Sequence, residues 1–231
     1  GDDGRIYGKR RGDFDKMKDL IIVGAGGFGR EVAWLVERIN QKNGTWNLLG
    51  YLDDGEEIQN KTINSYPVLG TVDDVGKFPD AYFAVAIGSA SARSRIVDRV
   101  FSREPNARYG ILIDPSVEMS DSVKIGDGSI ICAHTIMTVD ITIGRHVIVN
   151  LDCTIGHDAV INDFVTVYPS VNISGNTEVG GASELGTGTQ IIQGKKIGTG
   201  SIVGAGAVVV RDIPEKCTAV GAPAKPIKFF D

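Results

Sequence analysis

The sequence predicts two joined folds: a small α/β domain of Rossmann type, followed by a parallel β-helix built from hexapeptide repeats. Two observations carry this. From Ile113 to Val209 an apolar residue stands at every sixth position, seventeen in one register without an insertion, and seven of them are followed by Gly. Ahead of that run, Gly24-Ala-Gly26-Gly27-Phe28-Gly29 lies between a short apolar run and an amphipathic stretch. A period of six fits neither an α-helix at 3.6 nor a strand at 2. It fits a coil that turns a corner every six residues and stacks on itself, so that residues 18 apart lie one above the other.

Taken in order, residues 1–16 are polar and mixed in charge and lack the apolar core of a signal peptide, so they read as a tag or flexible leader. A Rossmann-like domain is expected over residues 17–108. Leu20–Val23 is its first strand, and a helix follows with Val32, Ala33, Val36 and Ile39 on one face. Leu48–Leu52 is a second strand ending in Asp53-Asp54, Ala84–Ile87 a third, and a second helix runs from about Ser89 to Arg103. Strand, helix, strand, strand, helix is the pattern of a small parallel sheet. Tyr109–Ile113 leads into the β-helix, residues 109–231. The residue four places after each apolar one is Val or Ile seven times, Ser, Thr, Ala or Cys nine times, and Lys once, at Lys195. The apolar residue is expected to point inward and the small one to fill the space beside it. The Gly that follows should relieve the corner, where a side chain would clash or φ must be positive. At Gly194-Lys195-Lys196 either the coil bulges or the ammonium escapes to solvent.

Composition narrows the function. The chain is 42% hydrophobic and 23% charged, ordinary for a globular protein. A net charge of −5 offers no basic patch for nucleic acid. No apolar stretch reaches the roughly 18 residues that would span a membrane. Cys132, Cys153 and Cys217 have no metal-ligand spacing, so no metal is expected, and they suggest a reducing, cytoplasmic compartment.

Two motifs carry chemistry. Gly24-x-Gly26-x-x-Gly29 brings backbone N–H groups and a helix N-terminus up to an anion, usually a pyrophosphate. Asp53, at the end of the second strand, stands where a ribose hydroxyl is bound. NAD and a sugar nucleotide both fit; the short domain favours a mononucleotide. Of three histidines, His134 and His146 occupy the fourth place of their hexads and His157 the third, all near corners, where a solvated side chain is the plain reading. His157 differs because Asp158 follows and can orient its ring. Gly175 comes 18 residues later, one coil above at the same corner, with an N–H open to an incoming group. Base and oxyanion donor together are what acyl transfer needs. Gln193 lies one coil higher again. Cys153 falls in an interior slot, which makes it a poor nucleophile.

The long hexad register and the tail Val220-Gly-Ala-Pro-Ala-Lys225 resemble the hexapeptide-repeat family of left-handed β-helix acyltransferases. The left hand, against the usual crossover rule, is inferred from the period and this resemblance. With the Rossmann-like domain in front, residues 20–228 are similar to the branch that acetylates amino sugars on a nucleotide carrier, alongside sialic-acid O-acetyltransferase-like proteins. The resemblance implies that Gly26, Gly27 and Phe28 hold phosphate and ribose, that Asp53 and Asp54 hold base and ribose, and that Gly70 adds a contact. Asn150 with His157-Asp158 matches the family's catalytic segment, and Gly175 its oxyanion donor. Acetyl-CoA would meet Asn150, Thr166, Gly175, Thr187, Ala205 and Lys225, with Lys196, Arg211 and Lys228 as further phosphate candidates. Thr166 stands where close relatives carry a second His. The implied activity is acetyl-CoA-dependent N-acetylation of a nucleotide-linked 4-amino sugar, by direct transfer with a His base, in a homotrimer with active sites between subunits and with a role in surface polysaccharide or glycan biosynthesis. O-acetylation of sialic acid or another sugar is the alternative. An inactive β-helix scaffold and an NAD-dependent oxidoreductase are readings of other classes; thioester turnover and NAD binding separate them.

Overall fold

The computed structural model describes residues 17–231. The leader expected over residues 1–16 lies outside the described residues.

The N-terminal part contains β1 (Lys18–Val23), α1 (Gly27–Lys42), β2 (Trp46–Leu52), β3 (Thr62–Ile63), β4 (Tyr66–Gly70), β5 (Tyr82–Val85), α2 (Ala90–Arg103) and β6 (Arg108–Tyr109). Its sheet runs β3-β4-β2-β1-β5-β6, with every pairing parallel except the β3–β4 hairpin. Leu20–Val23 of β1 are wholly buried, as befits a strand covered on both faces. Val32, Ala33, Leu35 and Val36 form the buried stripe of α1. β1 is central, with β2 on one side and β5 on the other. The strand order therefore reverses at the carboxyl ends of β1 and β5, the place where such sheets bind ligands. The hairpin is absent from the sequence reading. Its turn is Asn64-Ser65, both with positive φ, a two-residue hairpin turn without the glycine that usually signals one.

From Leu112 onward, two-residue strands stack at intervals of 18 residues: Ile130–Ile131 lies between Leu112–Ile113 and Ile148–Val149. Three parallel sheets form the faces, and a hairpin of Cys217–Val220 with Lys225–Phe229 closes one of them. The interior is one continuous column that includes Ile131, Met137, Ile143, Val149, Ile155 and Ile161. The first coil departs from the expectation. Met119 is 41% exposed, and Ile113 and Ile125 are only partly covered, because no coil lies beneath them. At Lys195 the register continues without a bulge: Glu178–Val179 pairs with Lys196–Ile197, and the Lys195 side chain reaches the surface.

Of the two roles expected for the corner glycines, the structure supports relief of a clash and not a need for positive φ. Positive φ recurs every six residues from Gly128 to Gly206, two positions after the place where the glycines were expected to need it. Nine of these residues are not Gly, among them His134, His146, Asp158 and Phe164. Each non-glycine in this region costs roughly 1 kcal/mol. An inter-coil hydrogen bond offsets it: Asp158 N–H donates to Val139 O at 3.2 Å, and Asn176 N–H to His157 O at 2.8 Å. The glycines that follow the apolar residues serve close approach instead. A Cβ on Gly156 would lie 2.7 Å from the backbone nitrogen of Gly175.

The two parts share a core. The outward residues Leu112, Ile130 and Ile148 of one prism face cluster with Leu20, Val36 and Trp46. Arg38 on α1 makes a two-pronged ion pair with Asp114 of the first coil, at 2.6 and 3.0 Å.

Candidate active site

The glycine loop is shaped by contact. Gly24 has φ +106°, and a Cβ there would meet Ala86 O at 2.9 Å. A Cβ on Gly29 would lie 1.9 Å from Gly24 O, so only Gly lets α1 start against β1. Gly26 is the N-cap; it makes no side-chain cap, and no acidic residue sits in the first turn of α1. The amide donors of this 16-residue helix thus keep their partial positive charge. Beside this helix start lies an open hollow of about 570 Å³ lined by Gly27, Phe28, Arg30, Glu31, Trp34 and Asn64.

The acidic pair divides its work. Asp53 Oδ2 accepts from Ala25 N–H and Oδ1 from Gly55 N–H, both at 2.8 Å, so it ties the glycine loop to the end of β2. Asp54 turns away: it pairs with Arg99 at 2.5 Å and accepts from Val72 N–H at 3.1 Å, and the guanidinium holds its carboxyl below the usual range. In this arrangement the visible partner of Asp54 is Arg99, not the glycine loop. Gly70, at φ +155°, leaves room for Asp74 to cap Thr71 N–H at 2.9 Å, while its own carbonyl accepts from Asp53 N–H. Its visible work is to support the Asp53 end of the sheet.

On the coil, His157 Nδ1 lies 2.8 Å from Asp158 Oδ2. A proton on Nδ1 donated to that carboxylate leaves the Nε2 lone pair outward. The ring lies over Gly175 so closely that a Cβ there would stand 2.3 Å from Nε2, and Gly175 is buried although it is at a corner. The Gly175 carbonyl accepts from Gly194 N–H, and the Gly175 N–H has no partner among the described residues. The His157 side chain is 48% exposed, open to an incoming acceptor.

Other expected residues lie elsewhere. His146 is not a solvated corner: it is 2% exposed, stacked on Phe164 and met edge-on by Tyr109. Burial pushes its pKa down to about 4, and both ring nitrogens lack partners among the described residues. Thr166 is 1% exposed and donates to Gly88 O at 2.6 Å, in the seam between the two parts and half a coil from His157. Asn150, Thr187 and Ala205 lie along one edge of the face that carries strands Thr154–Ile155, Asn172–Ile173 and Gln190–Ile191; His157, Gly175 and the exposed Gln193 lie along the other. A single chain therefore joins His157, Asp158 and Gly175 but keeps them a face apart from Asn150, Thr187 and Ala205. Lys225 and Lys228 are exposed on the closing hairpin, Arg211 is exposed, and Lys196 faces Glu178 at 3.7 Å. His134 is exposed and its backbone N–H donates to Ser116 Oγ. Cys153 is buried, and burial pushes its thiol up to about 11, which removes it as a nucleophile.

One residue escapes the sequence reading. Arg93 is fully buried between the two parts, where its guanidinium meets backbone carbonyls of both. The available signal was its place on the inward stripe of α2, with Ala90 and Val100.

Residues 19–100 match the PglD N-terminal domain family. Over 119 residues, 51% of this chain, the sequence is 36% identical to UDP-N-acetylbacillosamine N-acetyltransferase of Bacillus subtilis (strain 168), and the match spans 52% of that relative's length. The acetyltransferase domain of PglB from Neisseria gonorrhoeae FA1090, in complex with acetyl coenzyme A, is 34% identical with a TM-score of 0.83, over 92% of this chain and all of that one. A histidine-to-asparagine mutant of perosamine N-acetyltransferase from Caulobacter crescentus, in complex with CoA and GDP-perosamine, is 27% identical with a TM-score of 0.81, over 92% of this chain and 98% of that one.

Proposed function

This chain belongs to the hexapeptide-repeat sugar N-acetyltransferases, and within that family we propose that it uses acetyl-CoA to acetylate the amine of a nucleotide-linked 4-amino sugar, with His157 as the base. The observation that carries the reading is the His157 corner. A ring oriented by Asp158 lies directly over a glycine whose N–H has no partner among the described residues, so a proton acceptor and an oxyanion donor share one spot. His157 Nε2 removes a proton from the sugar amine as that nitrogen attacks the thioester carbonyl. Gly175 N–H donates to the oxyanion that develops there. The imidazolium then returns its proton to the leaving thiolate, so no covalent enzyme intermediate is needed.

The glycine loop supplies the nucleotide handle. The helix N-terminus of α1 and the nearby Arg30 suit a diphosphate, and Asp53 stands at the end of β2 where ribose hydroxyls are met. A free sugar would need no such handle. Relatives named for a UDP-linked and a GDP-linked amino sugar support the class and leave the nucleotide to this chain's own loop.

The reading includes a homotrimer. Ile136, Val139, Leu151 and Ile192, all 36–44% exposed, lie on the face and edges between the two separated groups of site residues. Covering that face with a second copy would bring one subunit's His157 edge against the next subunit's Asn150–Thr187–Ala205 edge. Light scattering at micromolar concentration checks this, and a monomer would refute it.

The substrate test is a panel of UDP-, dTDP- and GDP-linked 4-amino sugars with free and CMP-linked sialic acid, each with acetyl-CoA and a thiol readout. One nucleotide amino sugar should turn over efficiently. Turnover of sialic acid alone would move the activity to O-acetylation.

A further inference from the structure

We infer that Arg93 is a positioning residue: it fixes the segment Ile87–Gly88, at the rim of the nucleotide crevice, onto the β-helix, so that a nucleotide-held acceptor meets the histidine at one set reach. The inference rests on the nucleotide-linked acceptor proposed above.

The geometry is unusual for an arginine. Its Nε donates to His146 O at 2.8 Å, Nη1 to Ile87 O at 2.7 Å and Gly88 O at 3.2 Å, and Nη2 to Phe164 O at 2.8 Å and Val165 O at 3.2 Å. Every acceptor is a backbone carbonyl. They come from three segments: two corners one coil apart, and the stretch that follows β5. No carboxylate lies within ion-pair distance of Arg93 among the described residues, and the residue is 0% exposed. A buried charge held by carbonyl dipoles alone is a costly way to join two surfaces. Adhesion does not require it, because Leu112, Ile130 and Ile148 already make an apolar seam and Arg38–Asp114 ties its other end. What five directed bonds add, and apolar contact cannot, is a fixed orientation.

The orientation is imposed at the right place. Ile87–Gly88 continues from β5, at the carboxyl ends where the strand order reverses. The glycine loop rests on it: a Cβ on Gly24 would strike Ala86 O at 2.9 Å and Ile87 Cγ1 at 3.2 Å. Gly88 O also accepts from Thr166 Oγ1 at 2.6 Å. The same segment therefore touches the loop that holds the nucleotide and the prism that holds the base, and Arg93 is its principal clamp.

A positioning role has a signature that damage to the fold does not share. It matters for an acceptor tethered through its nucleotide and not for an untethered one. The experiment compares wild type, Arg93→Lys and Thr166→Val on the nucleotide-linked amino sugar that the wild type turns over best, and on the free 4-amino sugar at high concentration. Arg93→Lys keeps the charge and loses the fork. Its kcat on the linked acceptor should fall roughly 10–100-fold, the scale of a small misplacement of reacting groups. Binding of UDP or GDP alone, and the rate on the free amino sugar, should stay within about twofold, since neither draws on the clamp. Thr166→Val, which removes one donor to Gly88 and leaves Arg93, should show the same split in smaller measure and covers the case in which Arg93→Lys does not fold. Equal losses on both acceptors, a nucleotide-binding defect with kcat unchanged, or no split in either variant would overturn the inference. A wild-type protein inert on every linked amino sugar overturns the functional reading itself, before any variant is measured.

Discussion

Replacing Gly175 by Ala is the sharpest probe of the catalytic corner, because the structure separates its effect on the ring from its effect on the fold. The backbone at Gly175 is outside the positive-φ region, so Ala fits it. The added Cβ would stand 2.3 Å from His157 Nε2 and 2.6 Å from Cδ2 and Cε1. Carbon contacts settle near about 3.5–4.0 Å, so the ring must retreat by roughly 1 Å or more. It can do so cheaply, since its side chain is 48% exposed. Stability should therefore stay near wild type while the base leaves its place over the oxyanion donor. A displacement of that size costs about 10²-fold in kcat. Steady-state thiol release gives kcat, a thermal melt gives stability, and acetyl-CoA binding is followed separately. Gly156→Ala is the contrast: its Cβ would meet the backbone nitrogen of Gly175 at 2.7 Å, which cannot swing away, so it should destabilise the coil by about 1–3 kcal/mol. Wild-type kcat in Gly175→Ala would show that the ring does no work above that glycine. A melt as damaged as that of Gly156→Ala would show that the glycine serves the coil instead.

Three further outcomes follow. His157→Ala should lose about 10²–10⁴-fold in kcat, the usual worth of a general base, with acetyl-CoA binding kept by calorimetry; an equal loss from His134→Ala with His157→Ala near wild type would move the site. Asp53→Asn should raise the KM for the nucleotide sugar roughly tenfold with kcat unchanged at saturation, since it disturbs the loop and not the chemistry, whereas Asp54→Asn, whose visible partner is Arg99, should change the melt and leave KM alone. His146 has a folded pKa of about 4, below its unfolded value near 6.5, so the unfolded chain binds the extra proton first. Its contribution is intact above about pH 6.5 and is lost as pH falls towards 4, by about 3 kcal/mol in all. Urea titrations at pH 7 and pH 4.5 should show that loss in the wild type and not in His146→Asn.

The coil was legible because its geometry is counted in residues. A register of six places Gly175 above His157 from the numbering alone, and the close contact between them follows. The same count identifies position 146 as a corner but cannot see what covers it. Tyr109 arrives from the N-terminal sheet and Phe164 from the next coil, and together they turn a surface position into a buried one. Thr166 was hidden for the same reason, since its partner Gly88 lies 78 residues earlier on another fold. Which residue of each corner takes positive φ was not legible for a different cause. Gly marks the fourth place at Gly128 and again in the later coils, at Gly188, Gly194, Gly200 and Gly206, while His, Asp, Phe, Ser, Asn and Ala fill it in between. Asn and Asp visit that region more readily than other non-glycine residues, so glycine is a poor marker of it.

On the proposed reading the candidate site residues stand on two edges of one face, and the rigidity of the prism keeps them apart. Each coil is bonded to its neighbours by a parallel ladder on all three faces, and the interior is a continuous packed column. Such a rod has no hinge, so the edge with His157 and Gly175 cannot bend towards the edge with Asn150, Thr187 and Ala205. The N-terminal domain is no more mobile as a source of missing groups, because the apolar seam, Arg38–Asp114 and the Arg93 clamp hold it against a different face. A site that needs both edges must then draw the second from another copy of the chain. The exposed apolar side chains of Ile136, Val139, Leu151 and Ile192 are where that copy would rest. Replacing Val139, one coil below His157, by Lys should therefore do two things at once: dissociate the assembly by light scattering and abolish turnover while each subunit stays folded. A fully active monomer would mean that one edge is enough.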